Sequence, residues 1–555
     1  MENKMNELAT ITLNIEGMTC NHCAVAIEKK LEGKEGIVSK QVSYGKKSGE
    51  FSYNPSLISK QEIIDTINSS KNYRVTGNDS EKGMGKNHFD LIIIGGGSAA
   101  FSAAIKAEEL GLSTLMVNAG LPFGGTCVNV GCVPSKTLIR AAEAAHQARH
   151  SNFSGIRPKG VDIDFGRVIR DKKNLVATLQ QKKYMDVVSD FENLTLVEGW
   201  ATFTDDKTIL VNGKDSYTAL KFIIATGATT NIPEIEGINE IGYLTNVGLF
   251  DLEEKPESMT IMGAGYIGLE IAMAYNRLGV KVRMMEFTDR VLRTQTPDIS
   301  EELERNMRRE GIEILPNFRA VKFEQRDSAI VIHCKCPDGS TTQLIESGKI
   351  VVATGTRPNT GKLGLENIGV QLTSTGQVEV NAKMETNIPH VFAVGDVTNT
   401  PAFVYTAAYE GKIAVENAFT GAGKKVDYSS LPWVVFTDPQ VAGAGLDEVQ
   451  AEARNIPFEV SNLSLDNVPR ALAANDTRGF IKLIRNSKTD QLIGARIIAP
   501  EGGELIQQLS MAIKYKITVK ELAEGFYPYL TLGEGIKLAA ITFRKDVSKL
   551  SCCAN

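Results

Sequence analysis

Apolar and polar positions alternate over residues 10–16, and an apolar stripe at helical spacing follows over 24–31. Period-two alternation predicts a half-buried strand, and a three-to-four spacing predicts an amphipathic helix. Strand-like runs at 38–44 and 49–53, a helical run at 59–68 and a last strand near Arg74 complete the pattern. The order is βαββαβ, the ferredoxin-like plan. Residues 77–87 hold one apolar side chain, Met84, among Gly, Asn, Ser and charges, and read as a flexible linker. From Phe89 onward, short continuous apolar runs alternate with helical stripes. That rhythm predicts doubly wound parallel sheets, whose strands are covered on both faces. One such unit starts at Asp90 and another at Met259, whereas the segment from Leu431 lacks a glycine fingerprint and ends in a polar tail.

A chain of 555 residues has room for several domains with large cores. Its net charge of −5, with Lys and Arg spread throughout, offers no basic face for nucleic acid. The first residues, Met1 to Glu7, lack the apolar stretch of a secretory signal. No apolar run reaches the roughly 20 residues of a membrane span. A cytoplasmic protein without stable membrane association is therefore expected. The eight cysteines come in neighbouring pairs, at 20/23, 127/132, 334/336 and 552/553. In a reducing compartment such pairs point to metal or redox chemistry rather than to structural disulfides. Cys334 and Cys336 are the exception, since they lie in an alternating run before an Asp-Gly turn and read as strand packing.

The segment from Gly124 to Lys136, Gly-Gly-Thr-Cys-Val-Asn-Val-Gly-Cys-Val-Pro-Ser-Lys, carries the most chemistry. Cys127 and Cys132 stand five residues apart, too far for a disulfide on an undistorted helix, so the glycines must bend the backbone between them. Such a pair can cycle between dithiol and disulfide, or it can grip a soft metal ion. Upstream, Leu91–Ile94 is followed by Gly95-x-Gly97-x-x-Ala100, and a second copy runs Gly263-x-Gly265-x-x-Gly268. Glycines at these places let a pyrophosphate approach the backbone at a helix amino terminus. Glu286, at the end of the second unit's next strand, suits a free ribose 2′-hydroxyl and repels a 2′-phosphate. Asn118 holds the corresponding place in the first unit, where an acid is usual. Near the amino terminus, Gly17-Met18-Thr19-Cys20-Asn21-His22-Cys23 sets two thiols on a loop entering a helix.

The redox segment resembles the signature of the flavin disulfide reductases, and the cysteine pairs at both ends resemble the mercuric reductase family within them. The resemblance implies an α/β protein with two Rossmann-like FAD and NAD(P) domains and an α+β dimerisation domain. A small ferredoxin-like metal-binding domain precedes them. The implied division is a heavy-metal-associated domain at 1–76, a linker at 77–87 and the first part of the FAD domain at 88–245. The NAD(P) domain follows at 246–365, the second part of the FAD domain at 366–430, and the dimerisation domain with its Cys-Cys tail at 431–555. Gly95, Gly97, Ala100, Gly120, Thr126, Lys136, Ala201, Gly227, Asp396 and Val404 are the implied FAD residues. Gly263, Gly265, Gly268, Glu286 and Gly355 belong to the nicotinamide side, and Lys136 with Glu270 is the implied ion pair near the flavin ring. The family generally uses NADPH; Glu286 speaks for NADH, and Arg283, Arg290 and Arg293 stand close enough in sequence to compensate.

The implied reaction is reduction of Hg(II) to Hg(0) by a homodimer whose active site is shared between subunits. Hg(II)–thiolate complexes would be taken up by Cys552 and Cys553, passed to Cys127 and Cys132, and scavenged by Cys20 and Cys23. Tyr184 and Tyr529 are the implied tyrosines of that site. The alternative is a disulfide reductase like lipoamide dehydrogenase or glutathione reductase, which carries a His–Glu dyad in the dimerisation domain. None of the six histidines (22, 88, 146, 150, 333, 390) lies there, and Tyr529 occupies the base position. An ordinary phenol, with a pKa of about 10, is a poor base at neutral pH.

Overall fold

A computed structural model describes residues 9–18, 21–55, 57–70, 73–78, 87–346 and 348–546. The chain divides into two units, Met1–His88 and Phe89–Asn555. In the first, β1 (Ala9–Glu16), α1 (Asn21–Lys30), β2 (Ile37–Ser43), β3 (Ser48–Tyr53), α2 (Lys60–Asn68) and β4 (Arg74–Asn78) form an antiparallel sheet of order β2-β3-β1-β4. Alternation decides which face is buried: Ile11, Leu13 and Ile15 of β1 meet Ile27 of α1 and Ile63 and Ile67 of α2. Ser59 caps α2, and Glu62 returns the bond to the Ser59 backbone, so two otherwise orphaned N–H groups are satisfied. β4 runs to Asn78, past the expected start of the linker. Its pairing with β1, Asn14 against Gly77 and Leu13 against Asn78, is made by the backbone and leaves no apolar signature. Residues 79–86 of the linker lie outside the described residues.

In the second unit, β5 (His88–Ile94), α3 (Ser98–Glu109) and β6 (Thr114–Asn118) begin a seven-stranded sheet. Leu91 to Ile94 are almost wholly buried, each contributing about 1.5–3 kcal/mol relative to an exposed position. The chain then leaves this sheet to build a four-stranded parallel one from Ser258–Met262, Lys281–Met285, Glu313–Leu315 and Lys349–Val352. It returns through Val391–Ala393, which pairs in parallel with Asp215–Ile224. Exit and return run side by side: Ala228–Thr230 pairs antiparallel with Thr356–Pro358, directly after Gly227 and Gly355. The last segment is a five-stranded antiparallel sheet packed by the helices Gly502–Lys514 and Glu534–Ile541. Cys334 is buried in the strand Ala329–Lys335, as its alternation predicts. Among the described residues, no helix is long and apolar enough to cross a membrane.

Candidate active site

The segment after β6 folds as two helices that meet at a kink, α4 (Gly125–Val130) and α5 (Cys132–Arg149). Gly124 and Gly125 have φ of 100° and 62°, open to glycine and strained for other residues. A side chain on Gly131 would meet the Thr126 carbonyl, so only glycine lets the chain turn there. Asn129 holds the turn by donating to the Gly125 carbonyl at 2.9 Å. Asn246 fastens the end of α4 by donating to the Val130 carbonyl at 2.8 Å. The kink therefore sets Cys127 inside α4 and Cys132 on the first residue of α5, with the Cys127 thiol hydrogen-bonded to the Cys132 sulfur.

That placement divides the labour between the two sulfurs. Cys132 is lowered to about 7, first by the hydrogen bond from Cys127, then by Lys136 and by backbone N–H at its own helix start, against the opposing effect of burial. Cys127 is pushed up by the same bond and by burial, and stays a thiol. Lys136, one turn along α5, reaches Glu270 at 2.7 Å and lies 4.6 Å above the Phe436 ring. Glu270 is held in turn by the Phe436 N–H at 3.0 Å. Iodoacetamide modification of Cys132, mapped by mass spectrometry against pH, should therefore show a midpoint near 7. Lys136→Met should move that midpoint upward; an unchanged midpoint would remove the lysine from the account.

Tyr184 joins this group from an unexpected element. The helix Phe165–Gln180 passes into a π-helical turn, Gln181–Met185, of the kind often found at functional sites. The turn brings the Tyr184 hydroxyl within 3.2 Å of Ser98 Oγ and its ring edge-on to Phe101. Burial raises Tyr184 against the opposing hydrogen bond with Ser98, and the charges of nearby Cys127 and Cys132 add to the rise, so it remains a phenol beside the pair. Tyr405, missed by sequence reasoning, donates its hydroxyl to the Pro432 carbonyl and is raised by burial, with Tyr266 and the charge of nearby Cys132 adding to the rise. Its only signal was its place beside Val404. Ser98, Asn246 and Phe436 carried no signal at all. Tyr529 stands half-exposed on the loop between the helices Val519–Glu524 and Glu534–Ile541. Cys20, Cys552 and Cys553 lie outside the described residues, and Cys23 is half-buried in the first turn of α1.

Two nucleotide cradles flank the thiols, and both fit the groups expected of them. Gly97 and Gly265 precede α3 and the helix Tyr266–Arg277, and neither amino terminus has a side-chain cap. Their N–H groups and positive dipole ends are left for a pyrophosphate. A Cβ at Gly95 would meet the Ala225 carbonyl at 2.1 Å, and one at Gly263 the Ala353 carbonyl at 2.4 Å. Ala100 and Gly268 pack closely behind the two turns, each nearly or wholly buried. Asn118 is buried and donates to the Leu121 carbonyl, which leaves its oxygen as the acceptor. Asp396 is raised by burial alone, accepts no side-chain hydrogen bond among the described residues, and is suited to meeting ligand hydroxyls. Gly120 has φ of 86°, Thr126 is in α4, Ala201 is buried in its strand, and Val404 opens the helix Val404–Thr420. The three arginines near Glu286 in sequence each pair with a carboxylate. Arg283 is tied to Glu313 at 2.7 Å, and Arg290 and Arg293 are both tied to Asp289, at 3.0 and 2.8 Å.

Residues 89–411 match the pyridine nucleotide-disulphide oxidoreductase family, and 431–540 match its dimerisation domain. Residues 12–74 match the heavy-metal-associated domain. A mercuric reductase of Staphylococcus aureus is 40% identical over 97% of this chain and 98% of its own. One from Lysinibacillus sphaericus is 38% identical over 98% of this chain and 99% of its own. Among solved structures, a Cu(II) complex of the HOCl-induced flavoprotein disulfide reductase RclA from Escherichia coli superposes with a TM-score of 0.74. It is 26% identical and covers 83% of this chain and 100% of its own.

Proposed function

Because the chain belongs to the mercuric reductase family of pyridine nucleotide-disulphide oxidoreductases, we propose that it reduces Hg(II) to Hg(0) at the Cys127–Cys132 pair. The observation that carries this reading is a pair of cysteines brought together by the kink at Gly131, one of them opening a helix, with Lys136 one turn on, the Tyr184 phenol nearby and no imidazole base in the matching loop. FAD, when bound, supplies the two-electron path from a reduced nicotinamide dinucleotide to the sulfurs. That dinucleotide is NADPH by family habit and NADH by the residue at 286. Residues 88–245 and 366–430 hold the flavin, 246–365 hold the nicotinamide, and 431–555 make the homodimer.

Cys127, the exchanging thiol, takes Hg(II) by ligand exchange and loses its proton as it does, and Cys132, whose sulfur is held toward the thiolate, becomes the second ligand. Two soft sulfurs suit the low coordination number of this ion, and thiolate exchange never exposes it bare. Lys136 and Glu270 fix the charge beside the pair, and Tyr184 donates its O–H toward the sulfurs. Two electrons end on mercury, both sulfurs remain reduced, and the neutral atom leaves because it holds thiolates weakly. Cys552 and Cys553 of the partner subunit deliver the ion, Tyr529 lines the entry, and Cys20 and Cys23 scavenge it in the cytoplasm.

The test is oxidation of reduced nicotinamide by Hg(II) at excess thiol, set against oxidation driven by lipoamide or glutathione disulfide. Dependence on mercury alone is expected, and turnover on a disulfide alone would replace the reading with the alternative. Cys552→Ala/Cys553→Ala protein should lose most of its rate with thiol-bound Hg(II). Undiminished turnover would remove the tail from the path.

A further inference from the structure

We infer that this chain is built to select NADH, through the fixed carboxylate of Glu286; the inference rests on assigning the second nucleotide unit to the nicotinamide. Glu286 directly follows the strand Lys281–Met285 and is 6% exposed. Its Oε2 accepts the Ala264 N–H at 2.7 Å, inside the turn from Gly263 to Gly265. Its Oε1 accepts both the N–H and the hydroxyl of Thr288 at 2.8 Å. Three donors thus pin the carboxylate at the mouth of the glycine turn. A carboxylate has about four acceptor positions, so one remains for a ribose hydroxyl. That hydroxyl can donate; a 2′-phosphate cannot, and would bring further negative charge against a group that cannot swing away.

The surrounding charges do not offset this repulsion. Arg283 is held by Glu313 and also donates toward the Ile345 carbonyl. Arg290 is held by Asp289 and the Gln295 carbonyl, and Arg293 by Asp289. Arg290 spends one N–H of each terminal nitrogen on Asp289 and the Gln295 carbonyl, and its Nε is buried and closed to a phosphate arriving from solvent. From 286 to 293, two carboxylates and two guanidinium groups cancel, and each guanidinium already has an anion. A guanidinium already paired with a carboxylate has much of its charge neutralised, which weakens its pull on a phosphate.

The experiment uses the FAD-loaded full chain and measures equilibrium binding of NAD+ and NADP+ by calorimetry, a readout independent of mercury turnover. NAD+ should bind at least about tenfold more tightly than NADP+. Glu286→Gln keeps the acceptor for Ala264 and removes the charge, so NADP+ should gain affinity and the ratio should shrink. Glu286→Arg should bring NADP+ to parity or better; should that variant fail to retain flavin, Glu286→Gln alone decides. Equal or tighter binding of NADP+ by the unsubstituted chain overturns the inference and leaves the Hg(II) reading standing. If neither nucleotide binds, the assignment of the unit falls with it.

Discussion

Cys132→Ala protein will lose Hg(II)-dependent oxidation of reduced nicotinamide by at least about a thousandfold, the scale on which removing one member of a cooperating catalytic group acts. Two losses combine at this position. The thiolate present near neutral pH disappears, and the remaining Cys127 is the sulfur that the pair's hydrogen bond holds protonated. A lone soft ligand leaves Hg(II) shared with solvent thiols, outside the geometry that the kink at Gly131 imposes. Electron entry should survive, because Cys132 lies in neither of the helix starts, after Gly97 and Gly265, that are left for the nucleotides. An artificial quinone acceptor should therefore still oxidise the reduced nicotinamide in the variant, with flavin bound. Retention of more than about a tenth of the mercury rate would mean that the electrons reach mercury by another route.

Arg277→Met will destabilise the protein by roughly 3–5 kcal/mol, the cost of breaking a buried pair from one side. The Arg277 side chain is 2% exposed and donates to Glu310 at 2.7 Å and to Asp438 at 2.9 Å. Helix Tyr266–Arg277 is thereby tied to the loop that opens the last sheet. Arg478 lies 2.9 Å from Asp438 but 3.9 Å from Glu310, so Glu310 is the carboxylate left stranded. The same substitution gives a pH signature. Burial holds His146 below its usual range, Arg277 lowers it further, and Glu310 at 3.9 Å raises it. With the guanidinium gone, His146 is held down less, so the stability that its depressed ionisation costs the unsubstituted chain in acid is partly recovered in the variant. The penalty should therefore be smaller in mild acid than at pH 8. Urea unfolding followed by flavin fluorescence checks both parts, and a loss below about 1 kcal/mol would show that Arg478 replaces it.

Residues whose role is set by local backbone geometry were legible in the chain. Gly95 and Gly263, at φ of 130° and 102°, each have a carbonyl where a Cβ would be, and glycine spacing after an apolar run announces such a turn. The need for a bend between Cys127 and Cys132 was legible for the same reason, because spacing alone excludes a straight helix. Lys136 and Glu270, 134 residues apart, were reachable only through the family signature. What stayed hidden depends on competition in three dimensions. Nearness of Arg290 and Arg293 to Glu286 in sequence could not reveal that Asp289 holds both. The π-helical turn under Tyr184 and the approach of Tyr405 to Cys132 follow from packing of distant segments, which no period in the sequence encodes.

The paired ribbon after Gly227 and Gly355 places the two ends of the intervening 127-residue excursion next to each other: Asn231 N–H meets the Gly355 carbonyl and Asn359 N–H the Gly227 carbonyl, each at 2.9 Å. Everything between them is a cassette mounted on a double-stranded stem, removable from the seven-stranded sheet without cutting any of its strands. The excursion still reaches back to the thiols through Glu270 on Lys136 and Asn246 on Val130, so any exchanged cassette must bring both contacts with it.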